Sequence, residues 1–88
     1  MSHKHETVLR AVFHDPPSGN VHWREVESLL SHCGAEIENL PGARIRAKIN
    51  GQEGVLHRPH HTNVLDRQAI KHLREFLLRA GVSVSAME

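Results

Sequence analysis

The sequence is poor in aromatic residues. Phe13, Trp23 and Phe76 are the whole aromatic set, 3% of the chain, and tyrosine is missing. Single-stranded nucleic acid is read by stacking on several exposed rings, so this composition argues against a base-stacking platform. Cysteine occurs once, as Cys33. One thiol closes no internal disulfide and builds none of the four-ligand Cys/His zinc patterns. No apolar run reaches the roughly 18 residues of a membrane span, and no signal-peptide core is visible. The expectation is a cytoplasmic protein with no membrane partner. The sequence also lacks a phosphate-cradling glycine-rich loop and a nucleophile elbow.

What is present is an ordinary globular mix: 88 residues, 39% hydrophobic and 24% charged. That length is one small domain. A domain of this size buries only about 60–65% of its unfolded surface, so its core is marginal. Histidine is abundant, with nine residues, which makes the charge sensitive to pH around neutrality. The formal net charge is +1 but unevenly spread. Residues 1–40 carry three basic and six acidic side chains; residues 41–79 carry eight basic and three acidic ones. A local excess of positive charge with few aromatics suits a phosphate backbone better than base edges. The plain alternative is a solvated basic face.

Val8, Leu9, Val12 and Phe13 recur at helical spacing and predict a helix over 6–14. Asp15 to Asn20 gathers prolines and turn formers and breaks it. Trp23, Val26, Leu29, Leu30 and Cys33 form the next stripe, with Asn20 or His22 as cap and Gly34 as stop. Trp23 and Cys33 fall on that stripe and read as core. His14, His22 and His32 read as surface residues. A first strand is expected over 35–40, with Ala35 and Ile37 facing inward, followed by a Pro41-Gly42 turn.

Ala43, Ile45, Ala47 and Ile49 alternate with Arg44, Arg46 and Lys48, a period of two that means a strand with one buried and one exposed face. Asn50-Gly51 is a strong signal for a two-residue hairpin turn, because both residues tolerate positive φ. Gly54 to Arg58 is the return strand, ended by Pro59. Counting outward from the turn pairs Lys48 with Glu53, Arg46 with Val55 and Arg44 with His57. Opposed side chains share a face, so Arg44, Arg46, Lys48 and His57 are expected together on the exposed side. A slip of one residue would undo this. Asp66 then caps a last helix whose buried stripe is Ala69, Ile70, Leu73, Phe76, Leu77 and Ala80, stopped by Gly81. Residues 83–88 are expected to be a mobile tail.

The predicted class is therefore α+β, with helices on one face of a three-stranded antiparallel sheet. This is a double-stranded-RNA-binding-like α-β-β-β-α layout with an extra N-terminal helix. From about Val21 to Val82 the residues resemble the HicA family of bacterial toxins. Trp23 to Leu30 and Gly34 are similar to its first helix. Pro41-Gly42-Ala43-Arg44 falls at its Gly-Ser-His turn, His57-Arg58-Pro59-His60-His61 at its third-strand end, and Leu65 to Val82 at its closing helix. The whole chain, 1–88, then reads as one domain: accessory helix 6–14, HicA-like core 21–82 and tail. The resemblance implies a toxin of a type II toxin–antitoxin module that acts on mRNA and is neutralised by a HicB-like antitoxin. It also places Arg44 where the family has its cleaving histidine, with Ala43 in place of the serine.

Metal-free RNA cleavage needs a base for the 2′-hydroxyl, an acid for the leaving oxygen and a cation for the phosphorane. Arg44 stays protonated and can only stabilise charge. His57 is the nearest candidate base, followed by His60. The catalytic candidates are His57, Arg44 and His60; the RNA-binding candidates are Arg44, Arg46, Lys48, Arg58, His61 and Lys71. No metal and no small-molecule cofactor is called for. A zinc or copper site on His57-x-x-His60-His61 is disfavoured, because a strand puts residues three apart on opposite faces. The competing reading from another class is a non-catalytic RNA-binding or antitoxin-binding module.

Overall fold

A computed structural model describes residues 3–16, 21–59 and 63–83. Within them run α1 (His3–Phe13), α2 (Trp23–His32), β1 (Glu36–Leu40), β2 (Arg44–Ile49), β3 (Gln52–His57) and α3 (Arg67–Arg79). The class is α+β, with three helices and an open antiparallel sheet in the order β1-β2-β3. The helix expected from residue 6 begins at His3 and is built into the core. Val8, Leu9 and Val12 are buried in one cluster with the stripes of α2 and α3. Arg74 of α3 ties its end, donating from Nε to the Val12 carbonyl at 3.0 Å and from Nη2 to the His14 carbonyl at 2.7 Å. A cation on the last carbonyls of a helix also suits the helix dipole.

Helix α2 starts where the Trp23 stripe does. Its N-cap is His22, whose amide donates to Glu25 Oε1 at 3.1 Å; the other expected cap, Asn20, lies outside the described residues. The entry to α2 is held by a short antiparallel bridge, with Trp23 N–H donating to the Asn63 carbonyl (2.7 Å) and Leu65 N–H to Val21 (2.9 Å). Asp66 caps α3 as expected, accepting the Ala69 amide at 2.8 Å. At the other end Val82 donates to the Leu77 carbonyl at 2.8 Å and is buried, so the ordered core closes at Val82. Residues 84–88 of the expected tail lie outside the described residues.

The hairpin register is the expected one. Ile49 pairs with Gln52, Lys48 with Glu53, Arg46 with Val55 and Arg44 with His57. Asn50 and Gly51 take φ of 52° and 80°, both in the left-handed region that a type I′ turn requires. Asn50 does a second thing: its Nδ2 donates to the Ala80 carbonyl at 2.7 Å and pins the turn to the end of α3. Ile45, Ala47, Ile49 and Leu56 are buried on the helix side. There Phe76 sits on Gly54 so closely that a Cβ at 54 would lie 2.6 Å from Phe76 Cδ1. Ala47, buried on the same side, pairs with Gly54 across the hairpin.

Two core expectations hold only in part. Ile37 pairs with Ala47 and so shares the inward face, but it stays 46% exposed. The main helix–sheet packing is α3 on β3, and β1 has little helix above it. Facing inward is therefore not the same as being covered. Cys33 packs against the core as expected but is only half-buried.

Candidate functional site

The two-residue turn dictates which β2–β3 pairs exchange backbone hydrogen bonds. Ile49–Gln52 closes the turn, so Ala47–Gly54 and Ile45–Leu56 follow as hydrogen-bonded pairs. The ladder runs one step further, with Arg58 N–H donating to the Ala43 carbonyl at 2.8 Å. Arg44–His57, Arg46–Val55 and Lys48–Glu53 are the alternate pairs, in which side chains approach most closely. Arg44 and His57 are thus neighbours on the open face, both exposed. The guanidinium is steadied from the β1–β2 loop, since Arg44 Nε donates to the Pro41 carbonyl at 2.9 Å. That loop is tight: Gly42 and Ala43 both have positive φ, 79° and 56°. For alanine this conformation costs about 1–2 kcal/mol.

Beyond Arg44 the expected cationic row is not alone. Glu36 on β1 pairs with Lys48, and Glu38 with Arg46. Arg46 Nη1 contacts Glu38 Oε1 at 2.7 Å, and the two side chains are 44% and 62% exposed. Lys48 also faces Glu53 across β3. Three cations are therefore interleaved with three carboxylates, and the positive charge that is left unopposed in these rows lies at the Arg44–His57 end. The acidic and basic halves of the chain meet on one face. The sequence signal was available: Glu36 and Glu38 stand two apart, the spacing of one strand face.

The remaining candidates do not join the row. Arg58 alternates with His57 and lies on the helix side of the sheet, where its guanidinium hydrogen-bonds the Asn39 side chain and its Nε is buried with no hydrogen-bond partner among the described residues. Lys71 is exposed on α3, which covers the opposite face of the sheet. His60 and His61 lie outside the described residues. A residue not singled out from sequence shares a cleft with one of them: His72 of α3 and His57 line one cleft between α3 and the end of β3, together with Trp23, Leu56 and Leu65. Its position three residues after Ala69, on the flank of the buried stripe, is the signal that could have found it.

Two titrating groups are perturbed elsewhere. His5 stacks on His32, ring centroids 4.5 Å apart, with its Nε2 2.7 Å from Ser28 Oγ. Desolvation, then the charges of His32 and Lys4, hold its imidazole below the ordinary value. Burial pushes the Cys33 thiol up, which makes it a poor nucleophile. Among the described residues no group of three metal-ligating side chains comes together.

Comparison with family models, with curated proteins and with solved structures finds no match. The chemical content of the site therefore stands on its own geometry. It offers a permanently charged guanidinium beside an exposed imidazole, at the rim of an apolar cleft that His72 also lines.

Proposed function

We propose that this chain is an RNA-directed toxin of the HicA-like kind, built on a double-stranded-RNA-binding-like core of α2, β1, β2, β3 and α3 with α1 added. The observation that carries the reading is the pairing of Arg44 with His57 on the open sheet face. In this reading His57 takes the proton of a ribose 2′-hydroxyl. The 2′ oxygen bonds to phosphorus, the 5′ oxygen leaves, and a cyclic phosphate results. Arg44 holds the charge of the phosphorane. The leaving oxygen takes its proton from a second imidazole, His60 or His72. The reaction runs without a metal, on cytoplasmic mRNA, and a HicB-like antitoxin covers the Arg44–His57 end. Electrostatic capture by an acidic partner is local there, because the rest of the face carries three carboxylates to two cations.

A second reading has its own support. The carboxylates of Glu36, Glu38 and Glu53 flank the cations and repel a polyanion. That favours a non-catalytic module that binds RNA weakly or binds an antitoxin-like protein.

The purified chain, mixed with mRNA and a metal chelator, separates the two. Cleavage is expected, and His57→Ala should lower it by about 10²–10⁴-fold with an unchanged melting temperature, since the side chain is exposed. Salt-sensitive binding without cleavage assigns the chain to the second reading. Absence of RNA binding at low salt overturns both for RNA.

A further inference from the structure

We infer that β3 is a self-pairing edge, and that two copies of this chain join through it into one continuous six-stranded sheet. The inference does not depend on RNA chemistry. In β3 the residues at 52, 54 and 56 turn their backbone groups toward β2, and the Arg58–Ala43 hydrogen bond continues that alternation. Glu53, Val55 and His57 therefore aim their N–H and C=O groups out of the sheet. The backbone groups of Val55 and His57 have no hydrogen-bond partner among the described residues. Arg79 Nη2 reaches the Glu53 carbonyl only at 3.4 Å, near the limit for a hydrogen bond. A carbonyl has a second lone pair for another donor.

The occupant is chosen by the side chains on that edge. Antiparallel pairing about a two-fold axis at Val55 sets Val55 against Val55 of the other copy, and Glu53 against the other copy's His57. Val55 is an exposed large hydrophobic residue at 44%. The opposed Glu53 and His57 are complementary, and they occur twice by symmetry. Each His57 would then lie between its own Arg44 and the other copy's Glu53, and each Glu53 between its own Lys48 and the other copy's His57. The register also uses every outward-facing backbone group of the three residues.

The other edge is guarded by the same logic. Ile37 and Asn39 aim outward on β1, but self-pairing centred on Ile37 or on Glu38 sets glutamates face to face. Of these registers only the one centred on Val55 sets complementary side chains against each other. Three residues a side make a small interface, so association is weak and concentration-dependent.

Sedimentation of the full chain over a concentration series tests this, together with amide hydrogen exchange. The expected result is reversible dimerisation with slower exchange at the Val55 and His57 amides as concentration rises. Val55→Asp puts two carboxylates on the axis and Glu53→Lys opposes the imidazole; each should weaken association about tenfold or more. Glu53→Lys combined with His57→Glu restores the complementarity and should recover the dimer. Both exchanged positions are exposed, and a melting curve of each variant reports its fold. A chain that stays monomeric at about 1 mM overturns the inference. So does a dimer whose association is indifferent to both Val55→Asp and Glu53→Lys.

Discussion

The two strands that flank β2 are built differently. On one side β3 is joined by a two-residue turn, carries Gly54 under the Phe76 ring and lies beneath α3. On the other side β1 is joined through Pro41-Gly42-Ala43, carries an exposed Ile37 and has little helix over it. The β3 side is held by packing and by turn geometry. The β1 side is held by its backbone ladder and by polar side-chain contacts such as Arg46–Glu38 and Arg58–Asn39. The difference teaches where stability and function separate. Changes on the buried face of β3 should be felt by the fold, and changes on the β1 side mainly by the charge of the open face.

The largest expected effect breaks the β3 side. Gly54→Ala forces a methyl into Phe76 and should destabilise the domain by about 1–3 kcal/mol, as overpacking does. Ile37→Ala is the matched change on β1 and should stay within about 0.5 kcal/mol, as for other surface positions. Denaturant melts of the two variants decide the matter; equal losses would mean that β1 is packed as firmly as β3.

Next comes the pair of loops. Asn50→Ala removes a tolerant residue from φ of 52° and the hydrogen bond to Ala80, for an expected loss of about 1–2 kcal/mol. Ala43→Gly relieves the strain at φ of 56°, offset by the greater freedom of glycine in the unfolded chain, and should be neutral or stabilising by less than about 1 kcal/mol. Opposite signs in thermal melts would establish that the hairpin turn suits its sequence and the β1–β2 loop is strained.

Glu38→Gln probes the face itself. An exposed ion pair contributes about 0–1 kcal/mol, so stability should barely change. RNA affinity should rise at low salt, with a steeper salt dependence, because Arg46 is released from its carboxylate. Unchanged affinity would remove the open face from RNA binding.

The smallest effect lies off the sheet, where α1 meets α2. The folded His5 imidazole titrates below its ordinary value of 6.5. Between the lowered value and 6.5 the unfolded chain binds more protons, so this contribution to stability is full above 6.5 and is lost as pH falls through the folded value. A melting temperature that falls on acidification to about pH 5, less so in His5→Ala, is the expected signature. An identical pH profile in the variant would locate the acid sensitivity elsewhere.

Local chemistry made most of the architecture legible. Asn50-Gly51 carries its own backbone preference, so counting from it reaches Arg44 opposite His57. Asp66 and Gly34 mark helix ends by the same kind of local rule. Alternation assigned Ile45, Ala47 and Ile49 to the buried side, because a strand has a period of two. These are short-range facts, and eighty-eight residues state them plainly. The charge of the open face is not short-range. It depends on β1, drawn from the acidic half, lying beside β2 with Glu38 at Arg46, and on Arg58 turning under the sheet to Asn39. Coverage is long-range as well: Ile37 obeys its alternation and stays exposed, because whether an inward face meets a helix depends on where α3 lands. His72 reaches the cleft of His57 for the same reason. The chain alone determined which residues form each strand and each stripe; packing alone decided which charges meet, since side chains far apart in sequence interact only after the elements have docked.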